Sequence, residues 1–174
     1  MHETEIKLRT DDFDGVRERL NSLGARFKER VEDETDLVFD SPNDPMLLQG
    51  RVLRLRLTGD SGLLTWKGEP TFTAGVKKRE EIQTVVSNAR EMRAVLERLG
   101  FAVGLEFSKS REYWDLSGLA ISLDELPFGR YVEVEGDESL LEGAVRDLGL
   151  EDAERVTEGY PQLAARHLGA APRP

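Results

Sequence analysis

His2-Glu3-Thr4-Glu5-Ile6-Lys7-Leu8-Arg9 is the stretch whose reading decides the fold. Alternate residues of a β-strand point to opposite faces, so Glu3, Glu5, Lys7 and Arg9 share one face and Thr4, Ile6 and Leu8 the other. The apolar face must meet a core, and a charged face on a single strand would be an ordinary wetted surface. What gives the pattern meaning is its recurrence. It returns in Val52-Leu53-Arg54-Leu55-Arg56-Leu57, in Leu64-Thr65-Trp66-Lys67 and in Tyr131-Val132-Glu133-Val134-Glu135. Lys77, Arg79, Glu81 and Gln83 stand at every second position of a further segment, as do Lys109, Arg111 and Tyr113, and Ser122 and Asp124. A solvent face would be rich in Thr, Ser, Gln and Asn, whereas these faces carry Arg, Lys, Glu and Asp. The basic strands lie mid-chain and the acidic ones at its two ends.

Working outward from the first strand, Thr10-Asp11-Asp12 is N-cap chemistry for a short amphipathic helix carrying Phe13, Val16, Leu20 and Leu23, closed by Gly24. Residues 25–40 read as extended, interrupted by Glu32-Asp33-Glu34-Thr35-Asp36, and the acidic run 29–36 reads as a solvated edge whose acids could also recruit a cation at a tunnel mouth. Strands are expected at 50–58 and 62–67 around a Gly59-Asp60-Ser61-Gly62 hairpin, a loop at 69–75, and a long strand at 76–87. A second helix begins at Ser87-Asn88 with Met92, Val95, Leu96 and Leu99 on one stripe. Three antiparallel strands follow at about 101–114, 118–124 and 130–136, then a helix capped by Asp137-Glu138-Ser139, a short helix at about 159–168, and a loose tail over 169–174.

About eight strands with amphipathic helices between them argue for an α+β fold: one antiparallel sheet closed into a barrel, with the helices packed outside. The chain reads as a single domain, 1–174. It has no cysteine, which excludes disulfides and thiolate metal sites, and no apolar run near the roughly 20 residues that span a bilayer. Without a signal peptide, the expected location is the cytoplasm. A formal net charge of −10 disfavours nucleic acid as a partner, since that affinity comes from basic surface. Pairing into a homodimer is left open.

In such a barrel the charged faces line a lumen, which is costly when empty. Arg54, Arg56, Lys67, Arg79, Lys109 and Arg111, aided by Lys7, are donors suited to several phosphates at once. Glu3, Glu5, Asp124, Glu133 and Glu135 form a carboxylate set suited to hard divalent cations, Mg²⁺ or Mn²⁺. Together they point to a metal-bridged polyphosphate. The competing reading is a set of ion pairs that merely holds the sheet together. Trp66, Trp114 and Phe107 are expected to pack under helices, Tyr113 to face the lumen, and His2 and His167 to have no metal role.

The ExExK triplet Glu3, Glu5, Lys7, the RLR strand at Arg54-Leu55-Arg56, the Trp66-Lys67-Gly68 segment, the KREE strand beginning at Lys78, the KSR segment Lys109-Ser110-Arg111, Leu123-Asp124 and the terminal VEVEG ending at Gly136 resemble the CYTH superfamily, or triphosphate tunnel metalloenzymes, over about residues 2–168. The resemblance implies an eight-stranded tunnel. It implies metal binding at Glu3, Glu5, Glu133 and Glu135, with Asp124 a further acidic partner, and triphosphate contacts at Lys7, Arg54, Arg56, Lys67, Arg79, Lys109 and Arg111, of which Lys7 and Arg56 are the expected catalytic pair. Gln83 stands where a second Glu is common, and Gly159-Tyr160 keeps only the tyrosine of a Ser-Tyr motif. The implied activity is that of a metal-dependent enzyme, class IV adenylyl cyclase-like or thiamine triphosphatase-like. Inorganic triphosphatase activity and a binding module without turnover are the alternatives. With no Ser-His-Asp or Cys-His set in view, the expected chemistry is positioning and charge neutralisation.

Overall fold

Two-residue turns decide how consecutive strands pair. Ser117 and Gly118 both have positive φ, 52° and 89°, the primed turn whose twist matches that of flanking strands, and Gly59-Asp60 and Pro127-Phe128 likewise link directly paired neighbours. The computed structural model describes residues 2–169. In chain order these form β1 (His2–Arg9), α1 (Phe13–Ser22), β2 (Arg26–Asp40), β3 (Val52–Thr58), β4 (Ser61–Lys67), β5 (Thr71–Thr73), β6 (Val76–Val86), α2 (Ala89–Arg98), β7 (Ala102–Leu116), β8 (Leu119–Leu126), β9 (Gly129–Glu135), α3 (Glu138–Asp147), β10 (Glu154–Arg155) and α4 (Tyr160–His167). A 3₁₀ turn covers Met46–Gln49. Of the tail expected at 169–174, residues 170–174 lie outside the described residues.

The strands run β1-β9-β8-β7-β2-β3-β4-β6, and β6 pairs back onto β1 through His2–Glu5, closing an eight-stranded antiparallel barrel. Closure leaves no free long edge. Past Glu5 the β1 edge that β6 vacates is taken by β10, with Leu8 opposite Arg155. The segment read as a loop after Glu69 contains β5, which extends the β4 side of β6.

The expected interruption of β2 is a bulge. Val31 faces Arg111 but Glu34 faces Lys109, so β2 spends one extra residue there, with Asp33 at φ 53°. An inserted residue exchanges the two faces of everything beyond it. Glu34 and Asp36 are thereby turned inward and buried, which corrects their reading as part of a solvated edge; Glu29, Glu32 and Asp33 are exposed.

Outside the barrel, α1 and α3 bury Phe13, Val16, Leu20, Leu141 and Leu148 against Ile6, Leu8, Trp114, Ile121, Val132 and Val134. α2 covers Leu37, Phe39, Leu53 and Leu55. Its N-terminus and those of α1 and α3 are capped by Asn88, Asp12 and Asp137, which accept from the N–H groups of Glu91, Gly15 and Ser139. α4 departs from the expected outer position. Tyr160, Leu163 and Ala164 pack on Val38, Val52, Leu105, Phe107, Leu126 and Tyr131, which share the lumen face of their strands, so α4 stops one end of the barrel. Phe107 accordingly lies on this floor and lines the cavity instead of packing under an outer helix. None of the described helices is long and apolar enough to cross a membrane.

Candidate active site

Side chains directly opposite one another on antiparallel strands share a face and interact, so the register of the ring fixes the electrostatics of the lumen. Arg79 faces Glu3, Lys77 faces Glu5, Lys7 faces Glu133, Lys67 faces Glu81, Asp36 faces Arg56 and Arg111 faces Asp124. Opposite charge meets opposite charge at each of these positions. One pair breaks the rule: Glu5 stands opposite Glu135. The acids of β1 and β9 do form one wall, because those strands are neighbours, but Lys7 stands among them, and Glu34 and Asp36 stand among the bases. Separate acidic and basic walls give way to an interleaved ring.

The contacts follow the register. Lys67 Nζ donates to Glu3 Oε1 at 2.5 Å and lies 2.9 Å from Glu81 Oε2, Arg79 Nε donates to Glu3 Oε2 at 2.7 Å, and Lys77 donates to Glu5 at 2.9 Å. Arg56 is held by Asp36, and Arg111 by Asp124 and Glu133. Burial alone would raise the Glu3 carboxyl, but Lys67 and Arg79 outweigh it and bring it down to about 2. Burial opposed by Arg54 and Arg56 likewise leaves Asp36 well below its usual range.

Two poles are left unbalanced. At the basic pole Arg54 faces neutral Thr65 and Val38 across its strands. Its nearest described acid, Asp36, is 3.7 Å away, its Nη2 donates to Thr65 Oγ1 at 3.4 Å, and its buried Nε has no hydrogen-bond partner among the described residues. Burial pushes its guanidinium down despite Asp36. Beside it, burial and the like charge of Arg111 push Lys109 down to about 8. At the acidic pole Glu135 is exposed at the mouth, yet loss of water around its carboxyl and repulsion from Glu3 and Glu5 push it up to about 7. Among the described residues no three carboxylates or imidazoles stand as a finished metal cage. The oxygen donors of Glu3, Glu5, Glu133 and Glu135 are of the type a hard divalent cation binds, but of these four only Glu135 has no ion-pair partner among the described residues; Glu3, Glu5 and Glu133 would have to exchange lysine or arginine contacts for the ion.

The poles face one cavity of about 280 Å³, lined by acids of β1 and β9, bases of β3, β4, β6 and β7, and Tyr160 of α4. A family model described as CYTH domain matches residues 1–160. The chain belongs to the CYTH domain family. A protein of Methanocaldococcus jannaschii provisionally named an adenylate cyclase is 30% identical over 136 residues, 78% of this chain and 77% of its own length. The adenylate cyclase CyaB of Aeromonas hydrophila is 24% identical over 177 residues, 95% of this chain and 90% of its own. The solved structure of a Hippeastrum protein, described as a provisionally assigned adenylyl cyclase with a dominant triphosphatase activity, superposes with a TM-score of 0.70 at 21% identity, covering 97% of each chain.

Within this CYTH barrel, Glu3, Glu5, Lys7, Arg54, Arg56, Lys67, Arg79, Lys109, Arg111, Glu133 and Glu135 all line the one cavity. Asp124 alone of the expected set lies behind its surface, 0% exposed. Asp36 and Glu34, read as part of a solvated edge whose acids could recruit a cation, are instead turned to the lumen by the bulge, and the sequence assigns Lys77 no role. It underrated Tyr160, whose hydroxyl donates to Asp124 at 2.6 Å while Lys7 and Lys109 lie 4.1 and 4.9 Å over its ring. The tyrosine kept from the Ser-Tyr motif was the signal for it. Tyr113 does face the lumen and donates to Glu34 at 2.6 Å.

Proposed function

We propose that this CYTH protein is a metal-dependent enzyme that binds the triphosphate of a nucleotide or similar organic triphosphate in the barrel and cleaves it. The observation that carries the reading is Arg54: a half-buried side chain whose buried Nε has no partner among the described residues, beside Arg56, Lys109 and Arg111 and facing the same cavity as the unpaired Glu135. A buried N–H without a partner among clustered cations calls for an anion. The ion-pair reading accounts for Arg79, Lys77 and Lys67, but leaves Arg54 and Glu135 unexplained.

Arg54, Arg56, Lys109 and Arg111, with Lys7, Lys67 and Arg79, would hold the phosphoryl oxygens and neutralise the charge that builds up as the phosphate bond breaks. Lys7 on β1 and Arg56 on β3 would orient the reacting phosphate. Glu3, Glu5, Glu133 and Glu135 would hold Mg²⁺ or Mn²⁺. When bound, the ion would supply Lewis acidity, shielding phosphoryl oxygens and easing deprotonation of the attacking hydroxyl. The names of the two relatives favour cyclisation, in which a ribose 3′-hydroxyl attacks the α-phosphate of ATP to give cyclic AMP and pyrophosphate. The Hippeastrum protein favours a second reading, hydrolysis by water at the terminal phosphate.

Chromatographic product analysis after incubation with ATP, thiamine triphosphate and tripolyphosphate, each with Mg²⁺ and with Mn²⁺, tests this. Cyclic AMP from ATP is the expected product; inorganic phosphate from any of the three assigns hydrolysis. Tight binding of all three without a product would leave a binding module and defeat the enzymatic reading.

A further inference from the structure

Asp36 and Asp124 are 1% and 0% exposed, and each stands in register across from an arginine, Arg56 and Arg111 respectively. The contacts repeat. Asp36 accepts from Arg56 Nε at 2.9 Å and from Nη2 at 3.1 Å, and Asp124 accepts from the same two nitrogens of Arg111. The five N–H bonds of a guanidinium lie in one plane in fixed directions, so a grip on the Nε–Nη2 edge leaves Nη1 for whatever enters the lumen. Among the described residues Nη1 of Arg56 reaches only the Tyr113 hydroxyl, at 3.5 Å, while Glu34 Oε1 lies 3.1 Å from its Nε.

Attraction for a polyanion gives no reason to place carboxylates here. An anion among the bases weakens that attraction and must itself be stripped of water. Geometry does give a reason, because a guanidinium on a flexible stem has to be aimed, and a misplacement of about 1 Å can cost about 10²-fold in rate. Asp124 is also fully engaged. Besides Arg111, the Tyr160 hydroxyl donates to its Oδ2 at 2.6 Å and Lys109 lies 3.4 Å from its Oδ1.

Resting on the triphosphate reading, we infer that Asp36 and Asp124 are positioning residues that fix the Nε edges of Arg56 and Arg111 and aim both guanidinia at the phosphates, and that Asp124 serves Arg111 and not a metal. Two buried aspartates thus orient arginines by a two-nitrogen grip, a task that Glu3 at Arg79 and Glu133 at Arg111 share through single contacts.

Isotope-labelled native protein, observed at its arginine Nε–H resonances while inorganic tripolyphosphate is added without metal, tests this directly. The expected result is that the Arg54 signal moves, its Nε having no partner, while the Nε–H protons of Arg56 and Arg111, whatever their shift, keep exchanging slowly with solvent. Loss of that protection at Arg56 and Arg111 would mean that phosphate displaces the aspartates, and would overturn the inference alone. No change at any arginine would overturn the triphosphate reading and the inference with it. Kinetics give an independent arm. Asp36→Glu and Asp124→Glu keep the charge but shift the grip by a methylene, so kcat should fall about 100-fold with KM little changed. An unchanged kcat in both would show mere charge pairing, and an altered Mg²⁺ requirement in Asp124→Glu would return Asp124 to the metal.

Discussion

Lys109 carries its charge under strain, since burial and Arg111 hold its ammonium down to about 8. Above that pH the free protein loses one of the cations around Arg54, so metal-free tripolyphosphate should bind progressively more weakly from pH 8 upward. Calorimetric titration across pH 7 to 9.5 checks this, and Lys109→Met should bind weakly at every pH with a flatter profile. Glu135 works in the opposite sense. Its carboxyl sits at about 7 against an ordinary 4.5, so between those values the folded protein holds a proton that the unfolded chain has released. Folding stability is therefore highest below pH 4.5 as far as this group is concerned, and declines as pH rises through 7. In chelator, urea midpoints should fall between pH 5 and 8, and Glu135→Gln should remove that part of the fall. A midpoint that rises over this interval in the native protein but not in the variant would refute the crowding of Glu135 by Glu3 and Glu5.

β2 and α4 mark where the sequence ceases to be legible. Alternation named every charged residue of β1, β3, β6, β7 and β9 that lines the cavity, because in an unbroken strand parity fixes the face. Parity fails in β2, where one bulge residue at Asp33 exchanges inside for outside, and no residue type announces a bulge in a run as acidic as Glu32-Asp33-Glu34. Helical spacing located α4 but could not say that its apolar side meets the open end of the barrel, since a plug and an outer cover carry the same stripe. The two positions have different consequences. Leu163 is 5% exposed in the floor cluster, so Leu163→Ala should cost about 2–5 kcal/mol. Because Tyr160 ties α4 to Asp124, the same change should loosen Arg111 and lower turnover, whereas Leu141→Ala, under α3 and remote from the lumen, should cost similar stability while sparing kcat. Equal kinetic effects from the two would show that α4 is only a cover.

Taken whole, the barrel places charged side chains where a small protein normally places its core, and it tolerates this by alternating sign around the ring and moving the apolar residues outward to three helices. Each cross-strand pair offsets part of the desolvation of its members, and the remainder is concentrated at Arg54 and at Glu135. A ligand that fills both poles should therefore stabilise the entire closed ring, since β1, β3, β6, β7 and β9 all contribute to the site and cannot separate without losing it. At free ligand one hundred times Kd the linkage amounts to about 2.7 kcal/mol, and for a chain of this length about 2–4 °C accompanies each kcal/mol. Tripolyphosphate with Mg²⁺ should thus raise Tm by roughly 5–10 °C. Tripolyphosphate alone should raise it less, because its charge repels the carboxylate pole, and Mg²⁺ alone should also raise it less, because the Arg54 Nε stays without a partner. Scanning calorimetry with each component and with the pair distinguishes a two-pole site from two independent ones: shifts that merely add would mean that the poles do not share one ligand, while a shift for the pair larger than the sum is what a metal bridging to the phosphates requires.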